Sequence, residues 1–61
     1  MKYRLTEDLY YYSNVKNDNV VAEAGTIIES TGRRDAKAGD EFIVNGEEIL
    51  ITDADEIIEE V

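Results

Sequence analysis

Apolar and polar positions are most sharply patterned between Asp40 and Asp53, in the stretch DEFIVNGEEILITD. Two β-prone runs, Phe42-Ile43-Val44 and Ile49-Leu50-Ile51, flank Asn45-Gly46. Asn-Gly is the strongest short-range hairpin signal, because a type I′ turn needs positive φ at both central residues. A two-residue loop then fixes the register: Val44 opposite Glu47, Ile43 opposite Glu48, Phe42 opposite Ile49, Glu41 opposite Leu50, Asp40 opposite Ile51. Side chains alternate between faces, so Phe42, Val44, Ile49 and Ile51 share a core face. Ile43 and Leu50 lie on the other face among Glu41, Glu48 and Thr52. A one-residue slip would turn carboxylates into the core, so the pattern itself pins the pairing.

The rest of the chain repeats β-prone runs between breakers. In YRLTEDLYYY (residues 3–12), Tyr3 and Leu5 alternate with polar neighbours, as in a half-buried strand. Glu7-Asp8 predicts a bulge or turn, and Tyr10-Tyr11-Tyr12 resumes strand. Consecutive tyrosines on a strand alternate in face, which sends Tyr11 to the core and leaves Tyr10 and Tyr12 half-exposed. Ser13–Asn19 reads as a polar loop, Val20–Ala24 as a short strand, and Thr26–Thr31 as another after a break at Gly25. Gly32–Gly39, GRRDAKAG, has no large apolar residue and three bases, and it predicts an exposed basic loop, either solvated or pairing with the domain's own carboxylates.

After the hairpin, Asp53 with Glu56 three residues on fits an N-cap and capping box, with Thr52 and Asp55 as the shifted alternative. A helical turn or short helix is expected there, with Ile57 and Ile58 inward. The alternative is a one-turn helix at Asp53–Asp55 followed by a last strand over Glu56–Val61 that closes the sheet.

Sixty-one residues without cysteine or histidine bound what this pattern can become. One domain is expected, and a chain this short buries only roughly 60% of its unfolded surface. Disulfides, thiolate nucleophiles, histidine acid–base chemistry and the usual zinc sites are excluded. No apolar run approaches membrane-spanning length and no signal-peptide core is visible, so a soluble cytoplasmic protein is expected.

Charge divides the chain in two. Residues 1–37 hold all six bases and six acids, and residues 38–61 hold nine acids and no base, so the net charge of −9 lies entirely on the second part. Glu41, Glu47, Glu48, Asp53, Asp55, Glu56, Glu59 and Glu60 form a candidate acidic surface. Such a surface repels nucleic acid and acidic membranes and attracts a basic partner.

Candidate chemistry is sparse. Asp53-x-Asp55 lacks the sixth-position glycine of a calcium loop, where Ile58 stands. Glu47-Glu48 could do acid–base work only in a dry pocket, and it flanks a tight turn where solvent is expected. Arg33-Arg34 has no glycine cradle leading into a helix. No catalytic residue, cofactor or metal site is expected, and the chain is not read as an enzyme.

Three segments, YRLTEDLYYY, AGTIIE and FIVNGEEILITDADEI, together resemble a small SH3-like barrel of the kind found in proteins of bacterial viruses and prophages. The resemblance covers most of the chain. It implies a mostly β fold: a small antiparallel barrel of four to five short strands with a C-terminal helical turn or short helix. SH3 peptide-binding domains carry an aromatic set around a tryptophan. This chain has no tryptophan, so recognition of proline-rich peptides is not carried over. Fold alone does not set function. The expected function is a small acidic protein-interaction or structural module that self-associates or takes a basic protein partner, with Tyr10, Tyr12, Ile43 and Leu50 as candidate interaction surface. The alternative is an acidic mimic of nucleic acid that inhibits a DNA- or RNA-binding enzyme.

Overall fold

In the computed structural model, which describes residues 1–61, Asn45 and Gly46 hold φ of 51° and 82°. Both values are positive, as a type I′ turn requires. They join β5 (Gly39–Val44) to β6 (Glu47–Ile51) in the register expected from the sequence, with Phe42 across from Ile49 and Val44 across from Glu47.

Five further strands precede and follow this hairpin. β1 (Lys2–Leu5) is separated from β2 (Leu9–Ser13) by the break at Glu7-Asp8. β2 turns at Asn14–Asn17 into β3 (Asp18–Ala22), and β4 (Ile27–Asp35) starts after Gly25. β7 (Ile58–Glu60) ends the order. The strands pair antiparallel in two sheets: a five-stranded sheet in the order β6-β5-β4-β1-β7, and a ribbon of β2 and β3. The expected four to five strands are thus seven. They do not close into a barrel, because β6 and β7 end the larger sheet without pairing with each other.

The core lies between the sheet and the ribbon. Leu5, Ala22, Ile28, Phe42, Val44, Ile51 and Ala54 are buried, and Tyr3, Leu9, Tyr11, Ile49, Ile57 and Ile58 pack against them. The Tyr3 ring meets Phe42 edge-on, with centroids 5.9 Å apart and planes at 81°. No helix is long and apolar enough to cross a membrane.

Two local expectations are corrected. The segment Gly32–Gly39 is not one loop. β4 continues to Asp35, and only Ala36–Ala38 turns before β5. Strand pairing survives through a bulge: Ser30 faces Phe42 and Arg34 faces Asp40, so three residues of β4 span the place of Glu41. Cross-strand ion pairs bind the polar end of β4, Arg33 to Glu41 at 3.6 Å and Arg34 to Asp40 at 2.7 Å.

The capping box also fails to form. Asp53 has φ 55° and ψ 41° and makes no side-chain cap bond. An N-cap needs an extended backbone, and this left-handed one aims the carboxylate elsewhere. Thr52 is engaged with the Ala38 carbonyl, to which its hydroxyl donates at 3.0 Å. A single 3-10 turn, Ala54–Glu56, replaces the short helix and leads into β7. The last-strand alternative therefore describes this end better, except that β7 forms an open edge and does not close the sheet.

Candidate functional site

The β2–β3 ribbon has an inner and an outer face. Leu9, Tyr11 and Ser13 pair with Ala22, Val20 and Asp18, while Tyr10 and Tyr12 pair with Val21 and Asn19. Opposite residues share a face. Leu9, Tyr11 and Ala22 face the core, so Tyr10, Tyr12 and Val21 face water. Tyr10 is 70% exposed and Tyr12 49%. The Tyr12 hydroxyl donates to Asn17 Oδ1 at 2.6 Å, which ties that ring to the ribbon's turn. The base of the ribbon is held where the Ala24 N–H donates to Asp8 Oδ1 at 2.8 Å.

Ile43 and Leu50 are also exposed, on the outer face of the five-stranded sheet. The core separates that face from the tyrosines, so the four candidate interaction residues form two surfaces. Sequence reasoning missed one member of each, Val21 beside Tyr10 and Ile27 beside Ile43. The signal was alternation: Val20 and Ile28 point inward, so Val21 and Ile27 point outward.

The candidate acidic surface is smaller than the sequence implied. Glu41 is only 8% exposed; the Thr31 hydroxyl donates to its Oε1 at 2.7 Å, and Arg33 stands at its Oε2. Glu47 is half-buried and faces inward, because it pairs with the buried Val44. Its Oε1 accepts from the Ser13 hydroxyl and its Oε2 from the Asn14 N–H, each at 2.7 Å. The Ser13 hydroxyl bond, with the Asn14 bond beside it, outweighs partial burial and holds this carboxyl below its ordinary value. Glu47 thus locks the ribbon's turn to the hairpin's turn. Glu59 is exposed and bound to Arg4 at 2.9 Å. Glu48, Asp53, Asp55, Glu56 and Glu60 remain exposed and without an ion-pair partner.

The largest hollow, about 300 Å³, lies between these two turns, lined by Tyr11, Val15, Lys16, Val20, Asn45 and Glu47 among others. No two carboxylates face each other across it. The chain matches no family model, no curated protein and no solved structure.

Proposed function

We propose that this chain is a small acidic protein-interaction module of phage or prophage type, cytoplasmic and non-catalytic, which docks a protein partner through the outer face of the β2–β3 ribbon. One observation carries the reading: two tyrosine rings and Val21 are held in water on a two-stranded ribbon whose other face is committed to the core. Tyrosine offers a large contact area at low entropic cost and is enriched among interface hot spots. We also propose that the fold is SH3-like, a reading supported by the strand order β6-β5-β4-β1-β7, the ribbon between β1 and β4, and the 3-10 turn before β7. Charge favours a basic partner, since the net charge is −9.

The test is capture from bacterial lysate by the full chain and by the double variant Tyr10→Ser/Tyr12→Ser. The variant is expected to lose the partner, at least about tenfold at hot-spot energies, while its urea midpoint stays close to that of the parent. Equal capture by both chains would refute docking at the tyrosines. A second reading, the nucleic-acid mimic, is favoured by the unpartnered carboxylates of Asp53, Asp55, Glu56 and Glu60. The same capture at about 0.5 M salt separates the two, because screening then acts within a few ångströms and releases a partner held by charge.

A further inference from the structure

β6 ends the five-stranded sheet and has no strand beyond it. In a two-residue hairpin the closing pair, here Val44 and Glu47, exchanges both backbone bonds, and bonding alternates from there. The N–H and C=O groups of Glu48 and Leu50 therefore point away from β5. The opposite edge, β7, is guarded: it has three residues, two of them glutamates, and Glu59 is tied back to Arg4. β6 contains no proline or lysine and runs in unbroken register with β5. Of the usual edge protections it keeps only its glutamates. Its outer face carries Leu50, 47% exposed and diagonal to Ile43, which is 38% exposed and shares a hollow with Ile27.

We propose that β6 docks a second copy of this chain, the two β6 strands pairing antiparallel about a two-fold axis at Ile49. The two five-stranded sheets then become one continuous sheet. This deepens the interaction-module reading and rests on it, but it uses the edge of the sheet and not the tyrosine face. The register follows from the outward backbone groups. Setting Glu48 across from Leu50 of the second copy, and Leu50 across from its Glu48, uses every free group of both residues. Setting Glu48 across from Glu48 would oppose like charges and leave Leu50 unpaired. In the favoured register the two Leu50 side chains are diagonal neighbours on one face. The aliphatic stripe of Ile27, Ile43 and Leu50 then runs on into the same stripe of the second copy. Leu50 thereby gains an apolar neighbour on the face away from the core.

Charge opposes the pairing, since each copy carries −9. Screening reaches about 8 Å at 0.15 M salt and about 30 Å at 0.01 M, and the molecule's longest extent is 28 Å. Repulsion between copies is therefore damped at the first condition and felt across the whole molecule at the second. Self-pairing strengthens with salt, whereas a basic partner on the same edge would weaken with salt.

Sedimentation equilibrium of the full chain, with amide hydrogen exchange at low and high protein concentration, tests this. The expected result is a dimer at about 0.15 M salt that weakens at least about tenfold at 0.01 M. The amides of Glu48 and Leu50 should slow as the dimer forms. L50E sets glutamates across from each other twice and is expected to weaken the dimer about tenfold or more. E48K/L50E sets opposite charges across from each other in this register and should restore it. Circular dichroism checks that both variants fold. A chain that stays monomeric near millimolar concentration would overturn the proposal. So would a dimer that leaves the Glu48 and Leu50 amides unchanged, or one in which L50E and E48K/L50E behave alike. Loss of the dimer would leave the tyrosine-face reading to stand on its own capture result.

Discussion

Gly39 is the position at which a single atom has the least room. Its φ is 98°, and a Cβ there would strike the Ile51 carbonyl oxygen, with the Ile51 carbonyl carbon at 2.6 Å and Thr52 Cα at 2.8 Å. All three obstacles are backbone, on or just after the strand that β5 pairs with, so no rotamer change relieves them. Gly46 also has positive φ, yet a Cβ there would meet nothing within 4 Å. The two glycines separate close approach from turn geometry. Gly39→Ala combines a left-handed backbone with a backbone clash and is expected to cost about 3 kcal/mol or more. Gly46→Ala is expected to cost about 1 kcal/mol, the conformational part alone. A domain of this length has roughly 3–9 kcal/mol in total. Urea unfolding should therefore show Gly39→Ala largely destabilised and Gly46→Ala still folded; equal midpoints would contradict the close approach.

At the scale of elements, the β5–β6 hairpin was legible because its turn chemistry, face alternation and pairing are all local. The polar end of β4 was not. GRRD has no apolar residue to mark a strand, and what places it in the sheet is its pairing with Asp40 and Gly39 beyond a bulge, visible only once the register is known. The C-terminal helix shortens to one turn for a related reason: a capping-box spacing is a local signal, and the left-handed backbone at Asp53 makes no side-chain cap bond. Within the candidate site, the exposed tyrosines followed from alternation. The inward turn of Glu47 was implicit in its pairing with Val44, but its partners Ser13 and Asn14 lie more than thirty residues away. This clamp between two turns has a pH signature. Its carboxyl is held low in the folded state, so its stabilisation is fully present above its ordinary value of about 4.3 and is lost as pH falls through the lower folded value. Asp35, held low by the N–H groups of Ala38 and Lys37, acts in the same direction. Comparing the parent with Glu47→Gln isolates the clamp. The gap between their urea midpoints should be constant from pH 7 to about 5 and narrow below about 4. A gap that widens on acidification would reverse the sign assigned to Glu47.

For the whole molecule, the charge division along the chain becomes a pairing rule in space. Each of the three ion pairs joins a base from residues 1–37 to an acid from residues 38–61: Arg4 to Glu59, Arg33 to Glu41, Arg34 to Asp40. They lie along β1–β7 and β4–β5, the contacts that join the neutral first part to the acidic second part. The asymmetry is thus used partly inside the fold, and what stays outside is a net repulsion among carboxylates. Salt acts on both. It weakens the three pairs, whose basic side chains are 44%, 77% and 78% exposed and which contribute little at such exposure. It also relieves the self-repulsion of nine uncompensated charges on a body whose extents are 28 × 26 × 17 Å. Repulsion grows with the square of net charge while the attraction counts only three solvated pairs, so relief should dominate. The midpoint of urea unfolding, measured at micromolar chain concentration, should rise when sodium chloride is raised from about 0.05 to 0.5 M, as screening shortens from more than 10 Å to a few ångströms. A falling midpoint would mean that the cross-sheet pairs outweigh the net charge, and that these three contacts hold the two parts of the chain together.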